Sequence, residues 1–114
     1  MHDTPLNHVF SLGKQDGTTI FKLTGPLTLS TMFPFQEELR SIKPQVLILD
    51  LTDTPYIDSA GIGVIANYYV SAERDGRTFL LAGANSRVQT LLSLTKLDTI
   101  VKNFPTVQDA EASL

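Results

Sequence analysis

The sequence predicts an α/β fold, a mixed β-sheet of about four to five strands covered by helices. Three observations carry this. Residues 46–51 are an apolar run broken only by Asp50, which suits a buried parallel strand better than a surface one. Apolar strands elsewhere are separated by helical patterns of about ten residues or more, as parallel crossover connections require. Asp16-Gly17 lies between two extended runs, a hairpin-turn dipeptide that makes the first pairing antiparallel and the sheet mixed. The predicted element order is β-β-α-β-α-β-α-β-α.

Residues 1–7 read as a loosely held lead-in. Residues 8–12 form a short edge strand and residues 19–23 its return, with Ile20 and either Phe21 or Leu23 as the inward positions. Gly25-Pro26 ends that strand. Residues 27–31 form a loop before a helix whose Phe35, Leu39 and Ile42 make one apolar face. Pro34 is tolerated only near the start of that helix, which stops before Pro44. After the central strand, Thr52 to Tyr56 supply a proline-containing exit. Asp58 and Ser59 then stand at the mouth of a long helix.

On that helix Ile62, Ile65, Ala66 and Tyr69 recur on one face, expected to cover the sheet at Val46, Ile48 and Phe79. Tyr68, about a hundred degrees further round, is expected at the rim. Gly76 closes the helix in a left-handed cap. Residues 78–82 form another apolar strand. Ser86 and Gln89 have capping-box spacing ahead of Val88, Leu91 and Leu92, giving a helix to about Thr95. Ile100 and Val101 supply a last strand, and Thr106 with Asp109 caps a short final helix.

The 114 residues fit a single domain, too small for a separate lid or second substrate domain. Twelve acids against nine bases give a net charge of -3 and no electrostatic reason for a nucleic-acid partner. Cysteine is absent, which removes disulfides, thiolate catalysis and cysteine metal sites. There is no basic segment followed by an apolar stretch at the start and no run approaching a membrane span, so a cytoplasmic protein without membrane insertion is expected.

Known catalytic arrangements are mostly ruled out. His2 and His8 have no cysteine or acidic group at ligand spacing, so they read as solvent-facing or edge-strand residues and no metal is expected. Gly61-Ile62-Gly63 resembles part of a phosphate loop, but no Gly-Lys-Ser or Gly-Lys-Thr follows; close packing at the helix start explains the glycines better. Ser59 lies between a strand and a helix as a hydrolase nucleophile does. Yet Ile57 stands where the elbow motif needs glycine, and no histidine follows Ser59, so no catalytic set can be assembled. Two readings of Ser59 remain: a hydroxyl that caps the helix, or an exposed hydroxyl beside backbone N–H groups where a phosphoryl group can be accepted.

Ile48-Leu49-Asp50-Leu51 followed by Tyr56-Ile57-Asp58-Ser59-Ala60-Gly61-Ile62-Gly63-Val64-Ile65 resembles the signature of the STAS family, the domain shared by anti-sigma factor antagonists and the cytoplasmic tails of sulfate transporters. Gly25 and Leu27 match the end of the family's second strand, and residues 79–83 with Val88, Leu91 and Leu92 match its later strand-helix unit. The freestanding antagonist type is favoured.

The resemblance covers about residues 7–112 and implies a STAS-like mixed sheet with helices packed mainly on one face, and a phosphorylation-controlled switch without catalysis or cofactor. The unphosphorylated domain would bind an anti-sigma factor that is also a GHKL-type serine kinase and so release a sigma factor. Phosphorylation of Ser59 would end binding, and a PP2C-type phosphatase would reverse it. The expected partner surface comprises Asp58, Ser59, Gly61, Ile62, Leu27, Thr28, Met32 and Phe33. Where sporulation antagonists commonly read Gly-Glu-Leu-Asp, this chain reads Gly25-Pro26-Leu27-Thr28, so both acids are missing; if a basic partner surface reads those carboxylates, this chain's partner is differently charged or its affinity is weaker. The alternative is a non-catalytic STAS scaffold subunit of a larger signalling or lipid-transport assembly, with Ser59 structural.

Overall fold

The computed structural model describes residues 5–114; His2 and the beginning of the expected lead-in lie outside the described residues. Strands β1 (Asn7–Leu12), β2 (Thr18–Thr24), β3 (Val46–Asp53), β4 (Thr78–Ala82) and β5 (Lys102–Phe104) form one sheet in the order β1-β2-β3-β4-β5. The β1–β2 pair is antiparallel and the other three pairs are parallel. The helices are α1 (Met32–Ser41), α2 (Ser59–Arg74), α3 (Ser86–Leu94) and α4 (Val107–Ala112), with a 3-10 turn at Leu97–Thr99. Both the mixed sheet and the predicted order are realised.

The strands' two-residue period divides the core into two layers. Phe21, Leu23, Leu47, Leu49, Leu51, Phe79 and Leu81 face α1, α2 and α3 in the larger cluster. Ile48, Leu80 and Ala82, with Ile20 and Val46, face the other way, where Ala110 and Val107 of α4 cover them. Val46 and Ile48 therefore do not lie beneath α2, contrary to the sequence expectation; Leu47 and Leu49 do. The cause is visible in β3. Apolar residues at both parities leave nothing to tell the two faces apart until helices are laid on each.

The face of α2 is also broader than its periodicity suggested. Ile62 and Ile65 are buried as expected, but Gly61, Val64, Tyr68 and Ala72 are buried with them, while Ala66 and Tyr69 are only half-buried. Tyr68, expected at the rim, is 7% exposed. It packs edge-on against Phe79, with ring centroids 4.9 Å apart, and its hydroxyl accepts a hydrogen bond from the Arg77 guanidinium at 3.0 Å. Packing against α1 as well as the sheet widens the buried stripe, and the Arg77 bond satisfies the polar tip that burial would otherwise leave bare.

The ends of the elements follow local chemistry. Gly76, at φ +71°, closes α2: its N–H donates to Glu73 O at 3.2 Å and Arg77 N–H to Ala72 O at 2.8 Å, a Schellman arrangement. The cap of α3 is Asn85, whose Oδ1 accepts from Val88 N–H at 2.8 Å, so Ser86 is the first helical residue rather than the cap. Thr106 caps α4 through Asp109 N–H as expected. The last strand lies two residues beyond Ile100 and Val101. Their N–H groups are taken by Leu97 O in the 3-10 turn, and the pairing with β4 falls to Lys102, Asn103 and Phe104.

Candidate functional site

The carboxyl ends of β2, β3 and β4 carry three loops, residues 25–31, 54–58 and 83–85, and backbone bonds lace the first two together. Leu27 N–H donates to Tyr56 O at 3.1 Å, and Asp58 N–H donates to Leu27 O at 3.2 Å, a one-residue extension of the parallel sheet. Within the first loop, Thr31 Oγ1 accepts from Thr28 N–H at 2.9 Å and donates to Pro26 O at 2.8 Å. The third loop joins through Asn85, whose side-chain amide donates to Pro55 O at 3.1 Å.

Asp58 is the knot of this end. It is the extended N-cap of α2, and its Oδ1 accepts from Gly61 N–H at 3.0 Å. Its Oδ2 accepts from Leu29 N–H, also at 3.0 Å. One carboxylate thus satisfies a helix-start donor and pins the β2–α1 loop beside it. Ser59 is the first residue of α2, exposed, and its hydroxyl makes no hydrogen bond among the described residues. Capping belongs to Asp58, which leaves the Ser59 hydroxyl free beside the amino end of a sixteen-residue helix.

The other residues expected at the partner surface divide by burial. Leu27 is fully buried, and Gly61 and Ile62 lie in the core; they shape the site from beneath and offer no side-chain contact at its surface. A Cβ on Gly61 would stand 2.5 Å from Leu27 O and 2.6 Å from Ile57 Cγ2, so the glycine lets the loop lie against the helix. Gly63 has open space around it and lacks the packing role that the sequence suggested for both. Thr28 is half-buried, and Met32 is half-buried against the core. Phe33 is 60% exposed.

The exposed Tyr56 and Arg87 escaped the sequence reading, and Leu29 was not singled out within its loop. Leu29, 62% exposed, stands in the loop that Asp58 pins. Tyr56 is partly exposed, with the Arg87 guanidinium carbon 4.8 Å from its ring centroid. An apolar residue among hydroxyl residues in a loop was the available signal for Leu29; the Tyr56–Arg87 pair, thirty-one positions apart in the chain, had none. Among the described residues no cluster of three or more His, Asp or Glu side chains could hold a metal ion, and no helix is long and apolar enough to cross a membrane.

A STAS domain model matches residues 10–110. A Thermotoga neapolitana protein provisionally named an anti-sigma factor antagonist is 42% identical over 64 residues, which cover 56% of this chain and 57% of that one. The match therefore spans less than two thirds of the relative's length. The crystal structure of a Thermotoga maritima protein with the same provisional name superposes with a TM-score of 0.85 at 29% identity, covering 93% of this chain and 92% of that one. The Bacillus cell fate determinant SpoIIAA in its phosphorylated form superposes at 0.71 with 13% identity, covering 91% of this chain and 96% of that one, a likeness of fold alone.

Proposed function

The chain belongs to the STAS domain family, a family of non-catalytic regulatory modules, and from that membership we propose that it is a phosphorylation-controlled anti-sigma factor antagonist. In this reading the unphosphorylated chain binds an anti-sigma factor that is also a GHKL-type serine kinase, which releases a sigma factor. Phosphorylation of Ser59 ends the complex, and a PP2C-type phosphatase restores it.

The observation that carries the proposal is the division of labour between Asp58 and Ser59. Because the Asp58 carboxylate holds both the helix start and the loop, the neighbouring hydroxyl is exposed without a structural duty. A phosphoryl group there adds about -1.5 to -2 charges near neutral pH. The backbone N–H groups of the first turn and the helix dipole accommodate that charge, so the domain stays folded. A partner resting on the same end would have to desolvate it, and binding fails locally. Leu29, Phe33 and Tyr56 are exposed apolar side chains at this end, of which Phe and Tyr are types enriched at interfaces, and Thr28 and Met32 are half-buried there. Pro26 and Thr28 put no carboxylate on this loop, so its partner need not present a basic surface there.

The test is incubation of the purified wild type and Ser59→Ala with the anti-sigma kinases of the source organism and ATP, with intact mass and partner affinity measured on the same samples. Phosphate should enter the wild type alone, and affinity should fall with the modified fraction. Equal incorporation in both proteins, or undiminished affinity after full modification, would refute the switch and favour the scaffold reading of a STAS subunit in a larger assembly.

A further inference from the structure

A groove of about 400 Å³ opens between the carboxyl half of α1 and the middle of α2, and neither Ser59 nor any of the three loops beside it lines this space. Its apolar wall is made by Leu39, Ile42, Val64 and the ring of Tyr68. Around that wall stand three cations, Arg40, Lys43 and Arg77, and no acidic side chain lines it. The volume lies toward the small end of the range usual for ligand sites, roughly 300 to 1,000 Å³.

Arg77 is the informative residue. Its side chain is only 7% exposed. One terminal nitrogen donates to Tyr68 Oη at 3.0 Å, and the other to Ser71 Oγ at 3.3 Å and Asp75 Oδ2 at 3.1 Å. Its Nε–H is buried and has no acceptor among the described residues. Donors on buried charged groups are ordinarily paired, and Tyr68 and Ser71, the two hydroxyl residues it holds, line the groove with it. Two carboxylates against three cations leave the rim with a net positive charge, carried by Lys43. Asp75 is the carboxylate on Arg77, Arg40 meets only the exposed Glu37 at 3.6 Å, and Lys43 has no ion pair among the described residues.

An apolar wall beneath a cationic, donor-rich rim is complementary to a molecule with an anionic head and a short apolar body. We propose that the groove between α1 and α2 is a binding site for a small amphipathic anion of the aliphatic carboxylate class, its head on Arg77 and Lys43 and its chain against Leu39, Ile42 and Val64. The proposal is independent of Ser59 and of the partner surface.

Titration of the isotope-labelled full chain with sodium octanoate, followed by amide chemical shifts, tests it. Saturable shifts at millimolar octanoate should centre on Val64, Asn67, Tyr68 and Ser71. Octyltrimethylammonium and 1-octanol should bind roughly tenfold more weakly or not at all. Arg40→Glu combined with Lys43→Glu, two exposed changes, should weaken octanoate about tenfold while the rest of the spectrum stays native. Inorganic phosphate should bind more weakly than octanoate, since it has no chain to bury. The proposal is overturned by the absence of saturable shifts, by shifts centred elsewhere, by equal affinity for the cationic amphiphile or for phosphate, or by an unchanged affinity in the charge-reversed variant.

Discussion

Replacing Asp58 separates its two hydrogen bonds, and the two conservative ways of doing so have different consequences. In Asp58→Ala both acceptors go. Loss of an N-cap costs about 0.5 to 2 kcal/mol, and loss of the bond to Leu29 N–H adds up to about 1 kcal/mol net, because that donor is exposed and water replaces part of the bond. The sum is about 0.5 to 3 kcal/mol. In Asp58→Asn the amide oxygen can still accept from Gly61 N–H, and asparagine caps helices as well as aspartate does. The amide NH2 must then face Leu29 N–H, donor against donor, so the loop bond fails and the charge at the helix start is lost, together about 0.3 to 2 kcal/mol. Urea denaturation gives the totals, and amide exchange resolves the two bonds. Asp58→Asn should keep the Gly61 amide native and release the Leu29 amide, whereas Asp58→Ala should release both. A native Leu29 amide in Asp58→Asn, or equal stability in wild type and both variants, would refute the account of Asp58 as the knot between loop and helix. The same geometry limits what charge reversal can teach: Asp58→Lys would lower partner affinity by unpinning Leu29, whether or not the carboxylate meets the partner.

Four other outcomes follow from the packing. Gly61→Ala places a methyl group against Leu27 O and Ile57 Cγ2 and should cost about 1 to 3 kcal/mol, while Gly63→Ala, in open space, should stabilise by about 0.5 to 1 kcal/mol; equal effects in thermal melts would contradict the contrast. Ile65→Ala, at a fully buried side chain, should cost about 2 to 4 kcal/mol by urea denaturation. Ser59→Ala should change stability by no more than about 0.5 kcal/mol, because Asp58 is the cap; a loss above about 1 kcal/mol would restore a capping role to the hydroxyl. Burial raises the Tyr68 pKa above its ordinary 10.0, and the Arg77 hydrogen bond and charge pull the other way without cancelling it. The unfolded phenol therefore ionises first as pH rises past 10.0, the folded state holds more protons, and stability should fall with rising alkalinity. Tyr68→Phe should flatten that fall as pH rises above 10.0. What remains belongs in part to Lys22, whose pKa is raised by its hydrogen bond to Asp53 and then by that carboxylate's charge and whose contribution is lost in the same alkaline direction.

The order of elements, the initial hairpin and the junction of Asp58 with Ser59 were legible in the sequence because each rests on local chemistry: a hairpin dipeptide, hydrophobic periodicity, and polar residues at a helix mouth. Tertiary structure decided everything that depends on which surfaces meet. It chose Leu47 and Leu49 over Val46 and Ile48 for the layer beneath α2, since an apolar strand carries no mark of its two faces until α4 and α2 cover them. It turned Tyr68 inward because α1 widened the buried stripe and Arg77, nine residues on, supplied a partner for the hydroxyl. It gave the last strand to Lys102 and Asn103, whose backbones pair with β4 although their side chains favour no strand. Periodicity places a residue on a face of its own helix or strand. Only the packing of several elements buried Leu27 and Gly61 and left Ser59, Leu29 and Phe33 exposed at one end of the sheet.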